Sequence, residues 1–490
     1  MDKQIDSHKK DWVVMIYMAS DNDLGDESIW ALTEIGKAKL GNKMGVAVLF
    51  DSGVQEVPTQ VFKYGLGTPP PNFPEAINPL PKNTFNQTKK EKSASDPQEL
   101  QRFIKETMAA HHAEHYMLIL SGHGSGAVGD FLKGGANFTG MSIPSLSDAI
   151  KKATNEGKEG KEKYIDVLGM DSCLMSMVEV CFQLPSTVKY LVGSEGFDPT
   201  TGWPYQQILQ KLAKETPLEP LQAAQTIVKE YIAYYTDYII AGTSVDMALC
   251  DLSESKKNEL NSAIKALGQE LTNALENPEI RDEIILAHWK AQSYKRETYT
   301  DLWDFCDLLQ DRFEQGIIYE LCERVKEAIE DLTCNSALYY GPDFQHSHGL
   351  SIYFPWREFE EELGEYAKLD FAGKKEPGWG GFLKSYVDAT QREKRGQKRE
   401  GKKQEPLVPA GVKVEEISLT PTMGADVTMM IHKGGEFSNK YNNPPYKYNN
   451  PPYKMGVFAR SASMKNPPNG FLVNCKNRKE AILPTKKTKK

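Results

Sequence analysis

Nowhere in its 490 residues does the chain hold a run of about 18 apolar residues, which excludes a transmembrane helix. Cysteine is scarce: seven residues, an odd number, with no Cys-x-x-Cys pair. That excludes a disulfide framework and a zinc site of ordinary spacing. An export signal is missing as well. The N-terminal apolar run, Val13 to Ala19, is short and sits behind Trp12. It ends in Ser20-Asp21-Asn22-Asp23 rather than in a small-residue cleavage site. The chain is expected to be soluble: cytoplasmic as written, secreted if a signal has been removed.

Hydrophobic residues make up 40% and charged residues 26%, the composition of an ordinary globular protein. At about 150 residues per domain, the length suggests about three domains, with core enough to need no staple. The net charge of −8 hides a split. Residues 391–490 carry 21 Lys and Arg against 8 Asp and Glu, or +13, which leaves −21 on the first 390. An acidic body argues against nucleic acid as its main ligand and favours cationic partners.

Short apolar runs alternate with helix-like segments through most of the chain. Trp12 to Met18, Val46 to Asp51, Tyr116 to Leu120, Ile165 to Met170 and Tyr190 to Gly193 read as buried parallel strands. Helices are expected over about Asp96 to His112, with Asp96 as N-cap and Pro97 at the first position, over Ser145 to Ala153, and over Leu174 to Leu184. The alternation predicts an α/β fold with a mainly parallel sheet. Residues 65–97 hold seven prolines and read as a surface loop. We divide the chain into a domain at 11–390, a charged linker at 391–404 and a basic Pro/Asn-rich extension at 405–490. Within the domain lie a core at about 11–215, a mostly helical part at about 216–335 and a closing strand at about 349–355. In the extension, 412–419 and 427–432 are candidate strands, and Tyr-Asn-Asn-Pro-Pro-Tyr-Lys occurs twice in tandem, at 441–447 and 448–454. Its aromatics are interleaved with Pro and Asn rather than arranged for base stacking.

Two strand ends carry chemistry. One reads Met117-Leu-Ile-Leu-Ser-Gly-His123-Gly124-Ser-Gly, the other Ile165-Asp-Val-Leu-Gly-Met-Asp171-Ser-Cys173. Sites form at the carboxyl edge of open α/β sheets. A thiol where a strand hands over to a helix start gains thiolate character, and a nearby histidine supplies base and acid. Spacing removes two rivals: no Arg stands six residues after Cys173, as in a phosphatase, and no second Cys three residues on, as in a thioredoxin. Cys181, Cys250, Cys306, Cys322 and Cys334 read as buried small hydrophobes. Asp21, Asn22, Asp23 and Asp26 read as caps of the helix after the first strand rather than as metal ligands.

Taken in order, several motifs resemble the clostripain-like cysteine peptidases, bacterial relatives of caspases, legumain and gingipains. They are Trp12 to Leu24, Ser-Gly-His123-Gly-Ser-Gly, Gly-Met-Asp171-Ser-Cys173-Leu-Met-Ser-Met-Val-Glu179, Gly-Ser194-Glu195, Gly202-Trp203-Pro204-Tyr205, Asp301-Leu-Trp-Asp-Phe and His348-Gly-Leu-Ser-Ile-Tyr-Phe-Pro355. They span about residues 11–360. The resemblance implies a caspase-like sheet flanked by helices and a cysteine endopeptidase cutting polypeptides after Lys or Arg through a thioester. Cys173 would be the nucleophile and His123 the base and acid, with no third triad member. The backbone N–H groups of Gly124 and Cys173 would form the oxyanion hole. A P1 cation needs a carboxylate, for which Asp171 leads, then Asp198 and Glu195, with Ser194 and Trp203 in the same pocket. The chemistry needs no cofactor; calcium is carried by the resemblance without assignable ligands. Self-cleavage is expected after Lys133, with Lys158, Lys161 and Lys163 as further candidates and the 391–404 linker as a second region. The rival reading is a scaffold of the same fold that has lost activity.

Overall fold

The computed structural model describes residues 9–52, 59–67, 93–134, 140–154, 163–236, 243–295, 298–356, 364–372, 378–399 and 473–474. Its centre is a sheet in which β1 (Lys10–Ser20) lies between β2 (Met44–Ser52) and β4 (Ala113–Ser121), and β4 is followed by β5 (Ile165–Asp171) and β6 (Val188–Gly193). All four contacts between these strands are parallel. On the outer side of β2, β3 (Gln60–Tyr64) runs antiparallel. Beyond β6 come β7 (Val245–Asp251), β10 (Ala337–Tyr340) and the two-residue β12 (Val473–Asn474), each antiparallel to its neighbour.

Both faces of the sheet are covered, so the middles of its central strands are apolar. In β1, Trp12, Val14, Ile16 and Met18 point to one core, while Val13, Met15, Tyr17 and Ala19 point to the other. The first core is closed by α1 (Gly25–Lys37), α5 (Tyr205–Glu215) and α6 (Pro220–Thr236). The second is closed by α2 (Pro97–Ala110), α3 (Ile143–Thr154), α4 (Val178–Gln183) and α7 (Glu254–Ala274). Further out on that side lie α8 (Pro278–Lys290), α9 (Leu302–Gln310), α10 (Ile317–Leu332) and α11 (Trp379–Arg399). Asp96 caps α2 as expected, accepting from the Gln98 N–H at 2.9 Å, a bond worth about 1 kcal/mol.

The strand order reverses at β1. From β1 the chain crosses through α1 to β2 on one side, then returns through β3 and α2 to β4 on the other. The loops after β1 and β4 therefore part at adjacent strand ends, where α/β sheets open a crevice.

Several expectations need correction. The helix expected from Leu174 begins only at Val178, because residues 172–177 form turns stitched to the loop after β6. Within the mostly helical 216–335 part, β7 extends the main sheet, and β8 (Ser293–Tyr294) and β9 (Tyr299–Asp301) form a small sheet. The closing strand is β11 (Ser351–Tyr353), and it joins that small sheet beside β9 rather than the main one. The 391–404 linker begins inside α11, whose helix continues to Arg399. Cys334 is half-buried rather than buried. Most of the 65–97 loop, the 412–419 and 427–432 strands and the tandem heptapeptide lie outside the described residues.

Candidate active site

The ends of β4 and β5 bring His123 and Cys173 to one place. Ser121 pairs in register with Asp171, and the Gly122 N–H donates to the Asp171 carbonyl at 3.2 Å. One residue after His123, Gly124 lies against the Cys173 backbone. A Cβ there would stand 3.1 Å from the Cys173 nitrogen and would collide with its carbonyl oxygen, so only glycine fits. The loop is clamped from the small sheet: the Ser125 carbonyl accepts from Lys295 Nζ at 2.9 Å and Tyr299 Oη at 2.7 Å.

Cys173 sits in a strained elbow. Leu174 has φ 65°, unusual for a branched side chain, and its N–H donates to the Gly196 carbonyl at 2.9 Å. The Ser176 N–H donates to the Ser194 carbonyl at 2.8 Å. The Asp198 N–H donates to Cys173 Sγ at 3.3 Å. With α4 starting five residues later, no helix N-terminus supports a thiolate at Cys173. Burial pushes the thiol well up instead, and the charges of Asp198 and Asp171 push it further. The expectation that a helix start favours thiolate at Cys173 therefore needs correction, because α4 begins only at Val178.

Those carboxylates differ. Asp171 is already engaged: Oδ1 accepts from the Trp203 N–H at 3.0 Å, and Oδ2 accepts from Ser121 Oγ at 2.9 Å and Tyr205 Oη at 2.7 Å. It holds the 202–205 segment in place, and Gly202, at φ 65°, packs against its oxygens. Asp198 accepts from Tyr231 Oη at 3.1 Å through Oδ1, while Oδ2 is shut from solvent with no hydrogen-bond partner. Burial, then Asp171, raise the Asp198 carboxyl well above its ordinary value, with Ser194 and Tyr231 opposing.

Two members of the expected pocket lie elsewhere. Glu195 is fully buried and accepts from the Gly349 N–H at 2.6 Å, facing Asp301 and Asp246 rather than Cys173. It fastens the loop after β6 to the turn before β11. The Trp203 indole is 1% exposed and packs beneath the sheet against Gly169, so it belongs to the core and not to a substrate wall. Ser194 is buried too, and its Oγ donates to the Gly196 carbonyl at 3.3 Å.

After β1, Leu24 stands at the α1 N-cap position without a side-chain cap, and Asn22 Oδ1 accepts from its N–H at 2.9 Å. Asp23 turns toward His123: its Oδ1 lies 2.6 Å from Nε2. Reading this acidic run as helix caps missed that contact, because the adjacency of β1 and β4 is not written in either segment. Among the described residues no group of three or more His, Cys, Asp or Glu is placed to hold a metal ion. No described helix is long and apolar enough to cross a membrane.

Lys133 lies beside this corner. Its carbonyl accepts from Asn22 Nδ2 at 2.9 Å, the next N–H, of Gly134, donates to Ser95 Oγ at 2.8 Å, and its ammonium pairs with Asp130 at 3.2 Å. Lys163 donates to the Met108 carbonyl at 3.2 Å, away from the site. Lys158 and Lys161 lie outside the described residues.

A family model described as the clostripain family, peptidase C11, matches residues 16–354. The chain belongs to the clostripain family. As such it is a hydrolase of the cysteine-protease class, on a caspase-like fold. Solved structures share that fold at low identity. One is a secreted C11 cysteine protease from Bacteroides thetaiotaomicron in complex with an irreversible peptide inhibitor, 16% identical at a TM-score of 0.52, covering 74% of this chain and 98% of its own. Another is an inactive zymogen C11 protease from Parabacteroides distasonis, 17% identical at 0.52, covering 74% and 97%. A third, a secreted C11 cysteine protease from Bacteroides thetaiotaomicron called iotapain, is 13% identical at 0.51, covering 78% and 99%. No curated protein matches the chain in sequence.

Proposed function

We propose that this clostripain-family protease is an endopeptidase that cuts after Lys or Arg with Cys173 as nucleophile and His123 as base and acid. The observation that carries the reading is the solvent-shut, unpartnered Oδ2 of Asp198, on a residue whose own N–H touches Cys173 Sγ. A buried carboxylate oxygen left unpaired is costly and fits a ligand that brings a cation. Asp171 adds a second charge, fixed in place by three donors.

With a P1 ammonium or guanidinium at Asp198, the charge that disfavours the thiolate is neutralised. His123 takes the thiol proton, Sγ attacks the scissile carbonyl, and the oxyanion meets the backbone N–H groups of Gly124 and Cys173. His123 then gives the proton to the leaving amine, and water hydrolyses the thioester with His123 again as base. The inactive scaffold is disfavoured because Gly124 keeps the histidine and thiol loops together, while the Asp198 N–H holds Cys173 Sγ from the loop after β6. Self-cleavage after Lys133 is supported by its place beside His123 and by the zymogen description of a similar fold. Since the Lys133 ammonium pairs with Asp130, that cut proceeds between molecules or after local opening. The second region is weaker: up to Arg399 it is helix, which must unwind to lie extended in a protease site.

Incubation with a lysine-derived acyloxymethyl ketone tests the reading. One adduct on Cys173 by intact mass and peptide mapping, together with loss of Lys-reporter cleavage in Cys173→Ala, is expected. A Cys173→Ala protein that keeps a tenth of the turnover would remove Cys173 as nucleophile.

A further inference from the structure

The contact between Asp23 and His123 joins residues a hundred positions apart, and it is placed by the sheet. β1 and β4 are parallel neighbours at the point where strand order reverses, so the residues just past their ends share one crevice. The loop that carries Asp23 is pinned through its neighbour Asn22. Asn22 Oδ1 accepts from the Leu24 N–H, and Asn22 Nδ2 donates to the Ala19 carbonyl at 3.1 Å and to the Lys133 carbonyl at 2.9 Å. From this frame Asp23 Oδ1 reaches His123 Nε2 at 2.6 Å.

We propose that Asp23 is the positioning residue for His123, making the working unit Asp23–His123–Cys173 rather than a pair. The proposal rests on the reading of His123 as base and acid. A carboxylate only accepts, so Nε2 carries the ring proton and Nδ1 is left with its lone pair for the Cys173 thiol. When Nδ1 takes that proton, the imidazolium forms beside a fixed negative charge. Once the proton passes to the leaving amine, the ring returns to the same tautomer. The pair is about a third exposed on each side, so its direct contribution to fold stability is small. Its effect belongs to the reaction, and variants at Asp23 should fold.

The test uses the full chain with Asp23→Leu, which removes acceptor and charge, and Asp23→Asn, whose amide can donate to Nε2 and hold the wrong tautomer. Steady-state cleavage of a Lys reporter should show kcat falling roughly 10- to 10³-fold in both, with KM changed less than about twofold. Long-range ¹H–¹⁵N spectra of the histidine side chains, assigned with His123→Ala, should show the Nε2–H form in the wild type, a mixture in Asp23→Leu and the Nδ1–H form in Asp23→Asn. An unchanged or raised kcat, a loss confined to KM, or the same tautomer in all three proteins would overturn the proposal. If wild-type protein neither cleaves the reporter nor takes the ketone at Cys173, the peptidase reading fails by itself. The tautomer comparison still decides whether Asp23 sets the ring.

Discussion

Asp198→Asn separates the role of this residue in binding from its effect on the nucleophile, because the two should move in opposite directions. The substitution is nearly isosteric and leaves the backbone N–H that donates to Cys173 Sγ. For substrates with Lys or Arg at P1, it removes the partner of a buried cation. The cost is about 2–4 kcal/mol in kcat/KM, or roughly 30- to 1,000-fold. For the free thiol the sign reverses. Asp198 is the largest charge raising the Cys173 thiol. Two unit charges ~6 Å apart at an effective dielectric of ~20 interact by about 3 kcal/mol, and solvent relaxation leaves roughly half of that. Losing the charge should therefore let the thiol ionise at lower pH. Alkylation of Cys173 by uncharged iodoacetamide near neutral pH, read by peptide mapping, should speed up about tenfold. Cleavage of reporters with a neutral P1 should change far less than that of basic ones. Equal losses on basic and neutral reporters, or slower alkylation, would refute the argument and return Asp198 to a structural role.

Two further outcomes follow from the same structure. Purified wild-type protein should contain a fragment beginning at Gly134 that is missing from Lys133→Gln and from Cys173→Ala; N-terminal sequencing checks this, and the fragment in Cys173→Ala would assign the cut to another protease. Glu179 is buried, accepts from the Tyr353 N–H at 3.0 Å, and burial pushes its carboxyl up to about 7. The folded state thus binds its proton more tightly than the unfolded chain, and stability falls as pH rises from the unfolded value through about 7. Glu179→Gln keeps the acceptor and should flatten that fall by up to about 3 kcal/mol, measured by urea unfolding at pH 5 and pH 8. Asp246, also raised to about 7, leaves its own share of the slope. An unchanged slope in Glu179→Gln would contradict the assignment.

What the sequence could determine was local. Apolar runs bounded by Ser-Gly-His123-Gly and by Asp171-Ser-Cys173 marked two buried strands ending in reactive side chains, and Asp96-Pro97 marked a helix start. Such features depend on neighbours a few residues away, and they survive into the fold as read. The motif order from Trp12 to Pro355 carried the family for the same reason: it records short segments, not their pairing.

Contacts between distant segments were decided only by the tertiary structure. In the sequence Asp23 reads as a cap; the pairing of β1 with β4 is what brings it to His123. Glu195 and Trp203 stood next to the right motifs, yet their side chains leave the site for Gly349 and Gly169. Asp171 is the first partner the sequence offers a cation, but Ser121, Trp203 and Tyr205 occupy its oxygens, leaving Asp198 Oδ2 open. The thiol at a strand end suggested an activated thiolate, whereas burial and two carboxylates oppose it. Residue type and spacing say which groups can do chemistry. Desolvation, charge and hydrogen-bond saturation come from segments up to more than a hundred residues away, and these decide which of the groups remain free to do it.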